Sequence, residues 1–236
     1  MQPDIPVVIT NFNRFEPFLQ QVKWLRTLEG LSQIHILDNA STYPPLLDYY
    51  SANPDNLSIH RMSTNTGHLA FKNNILSITD TKDRILVTDP DLIPYPTTPS
   101  DILQKMHRLL DTHLDTHKIG AGLGIKDIPD CYPFANDVRR HESNLLGAIY
   151  PDGSRKSLVD TTFALYRCPE AFGNWRDQAI RTVHPYMLKH VDWYVDPENL
   201  SEEYIYYLEH CTESASYAWK LKDWMTRLKI NWKKRQ

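Results

Sequence analysis

The chain has 236 residues, 41% hydrophobic and 23% charged, enough for one sizeable α/β domain and too few for two. A formal charge of −3 and a pI near 6.4 speak against nucleic acid as a partner. The opening MQPDIPVVIT lacks a basic-then-apolar leader, and no apolar run approaches the ~18 residues of a membrane span, so a cytoplasmic protein is expected.

In chain order, residues 6–10 (PVVIT) read as a buried strand that ends in Asn11-Phe12-Asn13-Arg14. Residues 15–28 form a helix with Phe18, Val22, Leu25 and Leu28 on one face, closed by Gly30. Residues 33–37 (QIHIL) are a second strand, ending in Asp38-Asn39-Ala40-Ser41, and a helix over 45–52 follows. Residues 57–62 are a third strand, running into Ser63-Thr64-Asn65-Thr66-Gly67, with a helix from about His68. A fourth strand, 85–88, meets Asp89-Pro90-Asp91; Pro90 has no N–H and ends it, and Pro94 and Pro96 oppose regular structure beyond. This alternation predicts a mostly parallel sheet with helices on both faces. Right-handed crossovers then gather the strands' carboxyl ends, and with them Asn11, Asp38, Asn65 and Asp89, on one rim.

The second half is less regular. Residues 100–117 are an amphipathic helix with Asp101 in its first turn, and 118–125 (KIGAGLGI) a strand. Its glycines do not match G-x-G-x-x-G; small residues that admit another backbone or a ligand are the better reading. Residues 130–142 are polar and read as a loop over the site. Residues 145–150 and 158–166 read as a hairpin around Pro151-Asp152-Gly153, with Asp160 breaking the apolar pattern. Residues 174–196, which carry His184, His190 and Asp192, show no clear periodicity, and 200–210 is a helix started by Ser201. Cys131, Cys168 and Cys211 are too scattered for a disulfide framework or a CxxC site, and buried free thiols are expected.

The last stretch is different in kind. Ala218, Leu221, Met225, Leu228 and Trp232 share one helical face, and Lys220, Lys222, Arg227, Lys229, Lys233, Lys234 and Arg235 make the rest basic. Such a helix suits peripheral contact with an anionic membrane, and equally packing on its own domain or a partner subunit. The organisation expected is one domain over 1–212, with a donor-binding half to about 98 and an acceptor-side half beyond, and a basic tail over 213–236.

Two carboxylates as close as Asp89 and Asp91 repel unless a cation holds them. A hard divalent ion, Mg²⁺ or Mn²⁺, takes carboxylate oxygens together with substrate phosphates. A solvated Asp-Pro-Asp turn is the plain alternative.

The ordered set T-N-F-N-R, L-D-N-A-S-T, N-T-G-H-L-A-F-K-N-N and V-T-D-P-D resembles the nucleotide-sugar-dependent glycosyltransferases of the GT-A fold, especially family 2. The likeness covers residues 5–95 and continues weakly through D-T-T-F-A-L-Y-R. It implies a Rossmann-like GT-A domain that moves a sugar from a nucleoside-diphosphate donor, UDP ahead of GDP or dTDP, to a glycan or lipid-linked acceptor, with Mn²⁺ or Mg²⁺. It places Thr10, Asn11, Asn13, Asp38 and Asn39 around the nucleotide, with Asn65, Gly67, Lys72 and Asn73 at the nucleotide or its phosphates. Asp89 reaches the ribose, the sugar or the metal, and Asp91 ligates the metal. The family's glutamate–aspartate pair is missing from its expected segment, so Asp160 and then Asp192 are the candidates for the base. His184 and His190 are candidates to complete the metal shell. Two rivals stand beside this reading: a haloacid-dehalogenase-like phosphotransferase, which also uses a strand-end D-x-D, and a non-catalytic nucleotide- or glycan-binding relative.

Overall fold

The unbroken apolar run at the start of the chain becomes β1 (Ile5–Asn11), in which Ile5, Val7, Val8 and Ile9 are all buried. A strand apolar on both faces needs neighbours on both edges and cover above and below. On one edge lies β2 (Leu31–Asp38), followed outward by β3 (Leu57–Arg61); on the other lies β4 (Ile85–Thr88); all four run parallel. Val7 and Ile9 pack on one side with Phe18, Val22 and Leu25 of α1 (Glu16–Leu25) and Leu46 of α2 (Pro44–Ser51). Val8 joins Leu37, Ile85, Val87, Ala70 and Phe71 on the other. The computed structural model describes residues 4–52, 57–67, 70, 71, 74, 78, 83–159, 162–167, 179–213, 215–230 and 232. The expected helix from about His68 falls mainly outside them, as do Lys72, Asn73, Asp160 and Cys168.

Beyond β4 come β5 (Leu92–Pro94), α3 (Ile102–Thr112), β6 (Lys118–Gly120), β7 (Gly122–Leu123), α4 (Ala135–Leu145), β8 (Leu146–Ile149), β9 (Arg155–Ser157), β10 (Phe163–Tyr166), β11 (Ala179–Arg181) and β12 (Met187–His190). The main sheet has nine strands in the order β3-β2-β1-β4-β10-β6-β11-β9-β8, with β10 antiparallel to both β4 and β6. A smaller sheet, β5-β12-β7, stands at the carboxyl end of β4. The mixed α/β architecture with a parallel central block is the one expected from the alternation of elements.

Four local expectations are corrected. Residues 118–125 are two strands, not one: the chain leaves the main sheet after Gly120 and enters the small sheet at Gly122, where a Cβ would come within 2.4 Å of the Thr182 carbonyl oxygen. The stretch expected as a loop over 130–142 holds most of α4, a polar helix that buries only Ala135, Val138 and Glu142, with Glu142 ion-paired to Arg181. The hairpin around Pro151 exists, but its return strand is β9; β10 crosses to the sheet's centre between β4 and β6. Pro94 does not forbid β5, because β5 is an edge strand whose one ladder is with β12. Of the thiols, Cys211 is buried and Cys131 exposed, both free.

The chain closes with a 3-10 turn (Val191–Tyr194), α5 (Glu202–His210) and α6 (Ser216–Arg227). Ser201 caps α5, its Oγ accepting the Tyr204 N–H at 3.2 Å. Most of the tail's apolar stripe is core: Ala218, Leu221, Met225 and Trp232 are buried against Tyr204, Leu208 and Cys211, while Leu228 stays exposed. Lys220, Arg227 and Lys229 are exposed, and Lys220 and Lys222 lie over the rings of Tyr217 and Trp219. Among the described residues no helix is long and apolar enough to cross a membrane. Leu221→Ala should therefore lower unfolding free energy by roughly 2–5 kcal/mol. Denaturant titration checks this; an unchanged midpoint would mean that the stripe is not core.

Candidate active site

The rim formed by the carboxyl ends of β1, β2 and β4 is built by side chains that tie one loop to the next. Asn13, at φ 55°, turns the chain after β1, a conformation that asparagine tolerates. Its N–H donates to Ser41 Oγ at 2.9 Å, and its Oδ1 accepts the N–H groups of Thr42 and Tyr43 at 2.7 and 2.9 Å. Asn11 is turned inward: its Nδ2 donates to the Arg14 carbonyl and to the Tyr50 hydroxyl, and its Oδ1 accepts the Arg14 N–H. Asn39 does the same for the Asn65–Gly67 turn, donating to Asn65 Oδ1 at 2.8 Å and to the Gly67 carbonyl at 3.1 Å while accepting the Thr66 N–H. Asn11 and Asn39 thus shape the rim rather than face a ligand, while Asn65 stays exposed.

Asp38 is fully buried; its Oδ2 accepts the Ser41 N–H at 3.2 Å and pairs with Arg61 Nε at 3.1 Å. Its Oδ1, with Thr10 Oγ1 and Asn13 Nδ2, is buried without a hydrogen-bond partner. Three such atoms on adjacent strand ends are costly unless a ligand answers them.

The Asp89-Pro90-Asp91 turn follows β4, as expected. Gln21 of α1 reaches it from below: Nε2 lies 2.7 Å from the Asp89 carbonyl, 3.0 Å from that of Leu92 and 3.1 Å from Thr88 Oγ1. One carboxamide spans the turn and donates to the carbonyls on both sides of Pro90. The Asp89 N–H donates to the Thr162 carbonyl at 3.2 Å, so the segment just after Asp160 borders the turn. Asp91 is buried at 6% exposure, its Oδ2 3.2 Å from His190 Nδ1, while its carbonyl accepts the Val191 N–H at 2.9 Å. The His190 ring stacks on Trp193 at 4.7 Å. His184 is not part of this pair. It is exposed, ahead of a cis peptide bond to Pro185, at the opposite end of β12 and so roughly 10 Å or more away along the chain.

Arg14 lies beneath, fully buried. Its Nη1 is 3.0 Å from Asp192 Oδ1, its Nε 3.5 Å from Glu203 Oε1, and its guanidinium carbon 4.8 Å from the rings of both Tyr204 and Tyr207. Burial works against the guanidinium's charge, but Asp192, Glu203 and Asp91 outweigh it and hold its pKa above the ordinary value. Burial raises the pKa of Asp192 against the pull of Arg14, with Asp91 adding to the rise. Glu203 is raised by burial too; it accepts the N–H groups of Phe15 and Glu16, capping α1 from a helix far away in sequence. Asp192, a candidate base, is thus committed to a buried ion pair.

Gln21, Arg14 and Glu203 carry this site and were not among the expected residues. Arg14 sits inside the T-N-F-N-R string, and a buried-face glutamine on an otherwise apolar helix stripe is the signal that Gln21 left in the sequence.

No protein-family model and no curated protein matches the sequence. Among solved structures, S. aureus TarS 1–349 is similar over 98% of this chain and 73% of its own, at 12% identity and a TM-score of 0.50. Glucosyl-3-phosphoglycerate synthase from Mycobacterium tuberculosis, in complex with Mn²⁺ and UDP-glucose, is similar over 71% of this chain and 57% of its own, at 14% identity and a TM-score of 0.45. The likeness to TarS shows the fold, which is of the GT-A type.

Gln21→Leu leaves the Leu92 carbonyl without its side-chain donor and the Asp89 carbonyl with the Thr88 hydroxyl, at 2.9 Å, in place of two donors, and should cost roughly 1–3 kcal/mol. Chemical denaturation measures it; wild-type stability in the variant would show that the turn holds itself.

Proposed function

We propose that the chain is a divalent-metal-dependent glycosyltransferase that moves a sugar from a nucleoside-diphosphate donor, UDP before GDP or dTDP, to a glycan or lipid-linked acceptor. The observation that carries this reading is the Asp91–His190 pair at the end of β4, 3.2 Å apart, beside a buried cluster in which one guanidinium faces three carboxyl groups. An excess of carboxylate oxygen over cation suits a hard metal ion. Among the described residues no three His, Cys, Asp or Glu side chains converge as a cage. That fits Mg²⁺ or Mn²⁺, which bind through one or two protein groups and complete their shell with substrate phosphates. Asp91 and His190 would hold the ion, with Asp89 beside them; when bound it offsets the charge that builds on the diphosphate leaving group.

The chain's own residues then divide the work. Asp38 Oδ1 and Thr10 Oγ1 offer acceptors, and Asn13 Nδ2 a donor, to the base and ribose. Asn65 and Gly67, held by Asn39, form the side of the cleft nearer the phosphates, where the resemblance also puts Lys72 and Asn73. Gln21 fixes the turn, so that Asp89 and Asp91 need no rearrangement when the donor arrives. Deprotonation of the acceptor hydroxyl falls to Asp160, which lies two residues before Thr162, the residue whose carbonyl meets Asp89. Asp192 instead holds Arg14.

UDP should bind the full chain tightly only with Mn²⁺ present, and Asp91→Asn should lose both this dependence and sugar transfer while melting as the wild type does. Calorimetry with and without EDTA checks it. Equal UDP affinity in EDTA would contradict the metal assignment, and a collapse in melting temperature of Asp91→Asn would make Asp91 a structural residue.

A further inference from the structure

Three points hold the His190-Val191-Asp192 segment over the Asp-Pro-Asp turn. The Val191 N–H donates to the Asp91 carbonyl at 2.9 Å, His190 Nδ1 sits 3.2 Å from Asp91 Oδ2, and Asp192 pairs with Arg14 at 3.0 Å. The first two are contacts with Asp91 itself. The third comes from another strand: Arg14 stands in the loop after β1, the central strand of the parallel block, and is fixed by its own surroundings. Its guanidinium carbon lies 4.8 Å from the ring centres of both Tyr204 and Tyr207 and its side chain approaches Glu203, and its backbone is bonded to Asn11 on both its N–H and carbonyl sides. A lysine has one point of charge and no planar fork, and it would not bridge Asp192 and Glu203 while lying against the two rings.

We propose that Arg14 is a positioning residue for the metal site: by anchoring Asp192 to β1 it sets the His190 imidazole against Asp91. The inference rests on the glycosyltransferase reading, in which Asp91 and His190 hold the ion. It also makes a prediction opposite in sign to simple electrostatics. Removing a positive charge from beside a cation site should tighten cation binding. Losing the anchor should weaken it, by about 10–100-fold where an outer residue orients a metal ligand.

The test is Mn²⁺ binding to the full chain in the presence of UDP, followed by electron paramagnetic resonance, with pulsed measurements for imidazole nitrogen coupling. Wild type should show the coupling. Arg14→Met should bind Mn²⁺ about 10–100-fold more weakly and lose the coupling. Arg14→Lys, which keeps the charge and serves also if Arg14→Met does not fold, should fall between the two. Unchanged or tighter Mn²⁺ binding in Arg14→Met, or wild-type affinity and coupling in Arg14→Lys, would overturn the proposal while leaving the glycosyltransferase reading intact. Mn²⁺ binding to wild type without any nitrogen coupling would remove His190 from the metal shell and overturn it as well. Absence of Mn²⁺ binding by wild type with UDP would instead sink that reading, and this inference with it.

Discussion

A parallel strand that stops at a proline leaves carbonyls which no neighbouring strand can pair. In this chain the strand is β4, the proline is Pro90, and one side chain, Gln21, donates across the turn from Asp89 to Leu92, with the Thr88 hydroxyl adding a second donor to Asp89. Because α1 is pinned to β1 by Phe18, Val22 and Leu25, the geometry of the turn is set by the core of the domain. The two aspartates are consequently held on a rigid element, and the small sheet that begins at Leu92 brings His190 back to Asp91 through the Leu92–His190 register.

Around that turn the molecule spends stability on polarity. Asp38, Thr10 and Asn13 each keep one buried atom without a partner, and Arg14 is enclosed with Asp192 and Glu203. Buried ion pairs contribute little net stability, and removing one partner is far more damaging than never having had the pair. Most such groups lie near the carboxyl ends of β1, β2 and β4, with Gln104 and His107 of α3 and the buried Glu142–Arg181 pair standing apart.

The first four strands, the order of their connections and the strand-end residues were legible because they are local. PVVIT, QIHIL and ILVT are short apolar runs bounded by polar turns, and their type does not depend on distant partners. What was not legible depends on contacts across the chain. α4 hides because it is polar and buries only three side chains, and its Glu142 makes sense only once Arg181 is seen beside it. The break between β6 and β7 reflects the approach of the Thr182 carbonyl to Gly122, a contact between residues far apart in sequence. Helix α1 starts at Phe15, which cannot cap it; the cap is Glu203, from the other end of the chain. Asp192, the second candidate for the base, is a buried partner of Arg14, and of the two readings of the tail's stripe, packing on its own domain holds for Ala218, Leu221, Met225 and Trp232.

The proposed function requires the carboxyl end of β4 to hold a divalent ion between Asp91 and the diphosphate of a nucleotide donor. A crystal of the full chain soaked with UDP and Mn²⁺, with diffraction data collected at the manganese edge, measures it. An anomalous peak is expected beside Asp91 and His190, with the uracil and ribose lying against Asp38 and Thr10. UDP bound at that rim with no manganese beside Asp91, or a manganese peak elsewhere on the molecule, would contradict it.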